Sequence, residues 1–441
     1  MSTPIYTGLT EHAKKHYASF HTPGHKNAGF FPEDLLQYDL TELPDTDALY
    51  EADGMISQAE QQIASLFGAE KSLISCGGCT LAIQTMLRIA SKHCRKILFA
   101  RNIHRSAVNA CALLGIEPLW LMPEPENGFT GVVNPTEVEK MLQEHSDIGA
   151  VYLTSPDYYG ELSDIAAISA VCHRHNALLL TDNAHGSHLA FLEHNLHPIA
   201  LGADLSACSL HKTLPVLTGG AVLNIGKGDL AEGAKEAMSL FGSTSPSYVV
   251  MASIDLCCDY LLRQGTEEYR KTQRRVARIK NLAKEQLLPM PAATCDPLRV
   301  CVNTAAAGLK GSEKQTDFFH GFGVEPEFCD GVNAVFICTP MNREEDFRRL
   351  EKALHSLKGT SVSSAENNLP PLPKVLLSPR EATLSDCIYL PVQQAVGKIA
   401  ADSACPCPPG IPVVMPGEVI TSQAAAFLKQ YGIDRLCCVR E

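Results

Sequence analysis

No apolar run in this sequence approaches the roughly 18 residues that a membrane-spanning helix needs. Met1 to Lys26 alternates polar and charged residues and holds no apolar core of the kind an export signal carries. A cytoplasmic location with no membrane partner is therefore expected. Basic charge is also in short supply: 49 acidic side chains stand against 37 basic ones, a net charge of −12. Such a surface repels phosphate backbones, so nucleic acid is not an expected partner. The composition of a disordered chain is absent as well, with 45% of residues hydrophobic and 20% charged. Two phosphate-binding fingerprints are missing. No strand candidate is followed by Gly-x-Gly-x-x-Gly, which speaks against a nucleotide-binding dehydrogenase. Neither Gly77–Thr80 nor Gly308–Lys314 ends in Gly-Lys-Ser/Thr. No internal repeat is visible.

Cysteine is plentiful, with 17 residues, but the spacing is poor for a metal. Cys257-Cys258 and Cys437-Cys438 are adjacent pairs, and Cys405 and Cys407 sit among prolines without a matching His or Cys pair. Reduced thiols and no metal site are expected in a long chain without an export signal.

At 441 residues the chain is too long for one ordinary core. The expected division is an irregular arm over 1–50, a large domain over 51–260, a small α/β domain over 261–358, a Ser/Asn/Pro-rich linker over 359–374 and a C-terminal domain over 375–441. Ile56 to Phe67 reads as a helix with Gly68 as its cap. Short apolar runs at Ser72–Cys76, Ile97–Ala100, Ala150–Thr154, Ala177–Thr181 and Leu205–Ser209 alternate with helix-length segments. That pattern predicts an α/β fold with a mostly parallel sheet covered on both faces. Arg299–Val302 and Ala334–Cys338 read as strands of the small domain. The charged stretch from Tyr260 to Leu288 reads as a solvated connecting helix.

Chemistry concentrates at the strand ends, where open α/β sheets bind ligands. Lys212 follows the run Leu205–Ser209, and a lysine there can form a Schiff base with an aldehyde cofactor. Alone it would read as a surface lysine. Asp182 ends the run Ala177–Thr181, about one βα step earlier. A carboxylate there can hold a pyridinium N–H and keep a ring electron-poor; it can equally cap a helix. Gly77-Gly78-Cys79-Thr80 precedes a helix, and backbone N–H groups at a helix start suit phosphate. His104 follows the run Ile97–Ala100, where an imidazole can stack on an aromatic ring. His211 can reach a phosphate or face solvent.

These features together resemble the Orn/Lys/Arg decarboxylase family of fold-type-I enzymes that use pyridoxal 5'-phosphate. The resemblance covers nearly the whole chain. It rests on His21-Thr22-Pro23-Gly24-His25-Lys26, Thr41-Glu42-Leu43-Pro44, Thr154-Ser155-Pro156-Asp157-Tyr158-Tyr159-Gly160, Asp182–His188, Ser209–Thr213 and Ser243–Tyr248. Ser378–Ala382 and Pro408–Pro412 look like the family's C-terminal domain. The resemblance implies the aspartate aminotransferase fold and decarboxylation of arginine, lysine or ornithine to a polyamine-pathway amine. It implies that Lys212 carries the cofactor, Asp182 pairs with its ring nitrogen and His104 stacks on the ring. Gly78, Cys79, Thr80, Ser209 and His211 would surround the phosphate, and Ala184 and His185 would line the ring pocket. Ser243 and Thr244 would reach the cofactor of a neighbouring subunit, in a homodimer or higher homo-oligomer with shared sites. Two positions depart from the pattern: Asn183 where the family has Glu, and Cys79 where it has Ser or Thr. The long N-terminal wing domain of the large inducible decarboxylases has no counterpart here, as in the family's short branch.

A cationic substrate needs carboxylate partners, and Asp45, Asp47, Glu51 and Asp157 are candidates that read equally well as solvated or helix-capping acids. Arginine is the first expected substrate. Other pyridoxal-phosphate reactions, an aminotransferase or a lyase, use the same lysine and aspartate. A noncatalytic homologue with a binding or regulatory role is the remaining alternative.

Overall fold

The computed structural model describes residues 14–21, 24–26, 38–43, 46–125, 129–292, 294–360, 369–407 and 410–440. Its centre is a seven-stranded sheet. Across the sheet the strands run in the order Lys71–Ser75, Ala221–Ile225, Leu205–Cys208, Leu178–Asp182, Ile148–Thr154, Lys96–Ala100 and Glu117–Leu121. Ala221–Ile225 is antiparallel to both neighbours, and the remaining pairs are parallel. The mostly parallel α/β sheet read from the sequence is therefore present. The pairs Thr154↔Asp182 and Asp182↔Ala207 set neighbouring carboxyl ends level with one another.

The strands are apolar on both faces because both are covered. Ile97, Phe99, Ala150, Tyr152 and Leu180 join one buried cluster. Their alternates Leu98, Ala100, Val151, Leu153 and Leu179 join the opposite one. Helix Gly78–Ala90 buries nine side chains, since it packs against the sheet and against Arg105–Leu114 and Ala234–Ser239. Helix Met55–Phe67 buries Ile56, Ile63, Ala64 and Phe67 on one stripe. It ends at Gly68, whose φ of 67° is the left-handed conformation glycine adopts without strain.

A second sheet is antiparallel, in the order Phe328–Cys329, Asn333–Ile337, Arg299–Asn303. Two expectations are corrected around it. The arm was read as irregular, yet Ala18–Phe20 is a buried strand paired in parallel with Val324–Pro326. The stretch 260–288 was read as solvated, yet helix Thr266–Glu285 buries Tyr269, Thr272, Val276, Ile279, Leu282 and Ala283. Lys271, Arg274, Arg278 and Lys284 cover the exposed face while these six pack inward.

The C-terminal segment has its own small core of Val392, Ala400, Val414, Ile420, Ala424, Leu428 and Cys438. It pairs Cys387–Pro391 with Arg435–Val439. A fully buried ion pair docks it on the central sheet. Both terminal nitrogens of Arg101 meet the Glu418 carboxylate at 2.7 Å. Arg101 also donates to the carbonyls of Pro412 at 2.8 Å and Val413 at 3.1 Å. Every donor group of the guanidinium thus finds a partner, which a buried charge requires.

Candidate active site

The carboxyl ends of the parallel strands open into a cavity of about 560 Å³. Its wall includes Gly78, Cys79, Thr80, His104, Asp182, Ala184, His185, Ser209, His211 and Lys212. Ten of the twelve cofactor-site residues read from the sequence thus meet in one place. Ser243 and Thr244 do not; both are exposed and off this wall.

Lys212 sits on the short helical turn Leu210–Thr213 that follows strand Leu205–Cys208. Its Nζ lies 3.0 Å from Nε2 of His185. Burial, and then the positive charge of Lys212, hold the His185 imidazole well below its ordinary pKa. The ring is therefore neutral and accepts a hydrogen bond from Lys212 Nζ. The ring of Tyr158 meets His185 edge-on at 5.1 Å, and Phe328 meets Tyr158 edge-on at 5.1 Å. Arg299, 2% exposed, anchors this wall by donating to the carbonyls of Tyr158 at 2.9 Å and His185 at 3.3 Å.

Asp182 ends strand Leu178–Asp182 and is 1% exposed. Its Oδ1 accepts the Ala184 N–H at 3.1 Å, and Oδ2 accepts the Tyr152 hydroxyl at 3.3 Å. Each oxygen has a second lone pair, so capacity remains for a ring N–H. His104 is the residue before helix Arg105–Leu114, and its Nδ1 accepts the Ser106 N–H at 3.2 Å. That bond fixes the ring's inner edge and leaves Nε2 away from the helix. Nδ1 of His211 donates to the Gly220 carbonyl at 3.0 Å. Ser209 Oγ lies 3.2 Å from the same nitrogen.

Helix Gly78–Ala90 begins on the wall, and no side chain caps its start at Gly77. The Gly78 N–H donates to the Gly219 carbonyl at 2.9 Å, so the N–H groups from Cys79 onward are the ones left for a ligand, and the helix dipole favours an anion there. Burial pushes the Cys79 thiol well above its ordinary pKa, so it presents a neutral S–H. An uncapped helix start, a buried carboxylate and a lysine converge on one cavity. That donor and acceptor set fits the phosphate, ring nitrogen and aldehyde of pyridoxal phosphate.

The departure at Asn183 does not touch the cavity. Asn183 is fully buried, and its Nδ2 donates to the Ser155 carbonyl at 2.7 Å. Of the four candidate acids, Asp157 alone is on the wall among the described residues. Asp45 lies outside the described residues. The Asp47 carboxylate is used locally, accepting the N–H groups of Ala48, Asp53, Gly54 and Ile56. Glu51 is exposed elsewhere. Sequence reading did not place Thr130, Phe328, Cys407 or Gly410 at the site, and all four line the cavity. Their segments lie far from the lysine in the chain and carry no local signal of it.

Comparison with known proteins agrees with this geometry. Residues 3–340 match the family described as Orn/Lys/Arg decarboxylase, major domain. Residues 366–432 match the C-terminal domain of the same family. The chain is 30% identical to an arginine decarboxylase of Bacillus anthracis, covering 97% of this chain and 92% of the relative. It is also 30% identical to an arginine decarboxylase of Bacillus subtilis, covering 97% and 93%. Among solved structures, lysine decarboxylase A from Pseudomonas aeruginosa superposes with a TM-score of 0.78 at 20% identity. That superposition covers 97% of this chain and 75% of the other, and shows the shared fold.

Proposed function

The chain belongs to the Orn/Lys/Arg decarboxylase family, and from that premise we propose how its residues divide the work. The protein is an amino-acid decarboxylase that uses pyridoxal phosphate and acts on a basic amino acid. The observation that carries the assignment of roles is the meeting of Lys212 and Asp182 at adjacent strand ends, beside an uncapped helix start.

Lys212 would hold the cofactor through Nζ. Asp182 would accept the ring N–H and so keep that nitrogen protonated. When bound, pyridoxal phosphate supplies an electron-poor ring that draws electrons from the bond to the departing carboxylate. The N–H groups from Cys79 onward, the Thr80 and Ser209 hydroxyls and His211 would hold the phosphate. His104 would stack on the ring, and Ala184 would line the ring pocket. His185, neutral and 3.0 Å from Lys212 Nζ, accepts a hydrogen bond from it and positions that nitrogen at the mouth of the cofactor pocket.

Arginine is the proposed substrate, supported by the two Bacillus relatives. The product would be an amine feeding polyamine formation. A cytoplasmic homodimer is also proposed. The exposure of Ser243 and Thr244, off their own cavity, supports a role at a partner's cofactor. Among the described residues no helix is long and apolar enough to cross a membrane. An amine-product screen tests the reading: purified protein with added cofactor is offered arginine, lysine and ornithine. Formation of the corresponding amine is expected, with arginine the fastest. No amine from any of the three would contradict it.

A further inference from the structure

Besides the groups around Lys212, the same cavity is lined by Thr130, Asp157, Tyr159, Phe328, Cys407 and Gly410. Asp157 follows strand Ile148–Thr154 and is 4% exposed, yet stands on the wall. Its two oxygens differ. Oδ1 accepts the Glu161 N–H at 2.7 Å. Oδ2 is buried with no hydrogen-bond partner of ordinary geometry, although the Thr130 hydroxyl stands beside the carboxylate. Leaving an acidic oxygen buried and unmatched is costly, so such a group points to an occupant.

The neighbouring acids are committed elsewhere. Glu161 accepts the Gly131 N–H at 2.7 Å and is off the wall. Asp330 accepts the Tyr159 hydroxyl at 2.9 Å and the N–H groups of Val332 and Asn333. Among the described residues Lys212 is the only lysine or arginine on the wall, and the proposed chemistry employs it.

We propose that Asp157 determines substrate specificity by accepting the distal cation of the basic amino acid through Oδ2. This rests on the decarboxylase reading above. With Oδ1 held by Glu161, one oxygen is open. It can form one charge-assisted bond, not the two-bond fork that a free carboxylate offers a guanidinium. Asp157 therefore reads charge rather than planar shape, and admits an ammonium as well as a guanidinium.

The charged and titratable groups around it are Glu161, Cys295, Arg299, Cys301 and Cys407, with Thr130 as a hydroxyl donor. Burial raises the Asp157 pKa to about 6, against the pull of the Glu161 N–H, Thr130 and Arg299. A bound cation favours the ionised form, so affinity for the cation rises with pH through that value.

The test is calorimetric titration of the cofactor-loaded protein with butylguanidinium, which carries the distal cation and no reactive amine. Between pH 5 and 7 the wild type should gain affinity by about tenfold, following the ionised fraction of Asp157. Asp157→Asn should bind on the order of tenfold more weakly at pH 7, with no pH dependence, while keeping its cofactor absorbance. Unchanged affinity in that variant would overturn the proposal. If the variant does not fold, a flat wild-type profile, or no wild-type binding, does the same. The two readings fail separately. A wild type that releases no CO2 from any basic amino acid sinks the decarboxylase assignment. A wild type that releases it, with a variant of unchanged affinity, sinks the role of Asp157 alone.

Discussion

Nζ of Lys212 and Nε2 of His185 are 3.0 Å apart, and the histidine is the partner kept neutral. This makes His185 a neutral hydrogen-bond acceptor that positions the lysine nitrogen. Replacing it by phenylalanine keeps the ring's bulk and removes the acceptor. A fall in kcat on the order of 10²-fold is expected, with the absorbance of bound cofactor retained. Steady-state kinetics beside a spectrum of the variant checks this. Wild-type kcat in His185→Phe would remove the histidine from the positioning of Lys212.

Cys79 stands in the first turn of the helix that faces the phosphate site. Its buried neutral thiol is a weak donor. Cys79→Ser supplies a hydroxyl in the same place. The dissociation constant for pyridoxal phosphate is expected to fall by roughly threefold to tenfold, the yield of one ordinary hydrogen bond. Absorbance titration of the cofactor-free protein measures it.

The same burial that equips Asp157 for a cation destabilises the empty protein. Its folded pKa, about 6, lies above the ordinary 3.8. A raised carboxyl pKa means that the folded chain binds the proton more tightly. Its contribution is fully present below about pH 4 and is lost as pH rises through about 6. Asp157→Asn should therefore be more stable than wild type at pH 7, by on the order of 1–3 kcal/mol. The gap should close by pH 4. Urea unfolding at the two pH values decides the sign.

Arg101 and Glu418 are both buried, and their pair joins the central sheet to the C-terminal segment. Glu418→Gln leaves a guanidinium charge unmatched inside the protein. A loss of about 3–5 kcal/mol in unfolding free energy is expected. Because Cys407 and Gly410 of that segment line the cavity, KM should rise with it. Thermal unfolding and steady-state kinetics on the same preparation test both effects.

Much of the centre was legible because its signals are local. The sheet strands are short apolar runs, and Lys212 and Asp182 stand at the ends of two of them. The helix start at Gly78 announces itself by glycines before an amphipathic stripe. What was missed depends on distant partners. Ala18–Phe20 is only three residues long and takes its pairing from Val324–Pro326. The density of Arg and Lys in Thr266–Glu285 hides the inward spacing of Tyr269, Thr272, Val276 and Ile279. Phe328 and Cys407 reach the cavity only because separate segments fold over it. Asp47 and Asp157 look alike in sequence; one caps a helix start and the other keeps an oxygen open.

Lys212 and Asp182 make a decarboxylase only if the carboxylate is what leaves the substrate. The direct measurement is release of labelled CO2 from carboxyl-labelled arginine, lysine and ornithine by the cofactor-loaded protein, with Lys212→Ala in parallel. One CO2 per amine formed is expected from wild type, and none above background from the variant. A keto acid formed without CO2, or equal release by Lys212→Ala, would contradict the assignment.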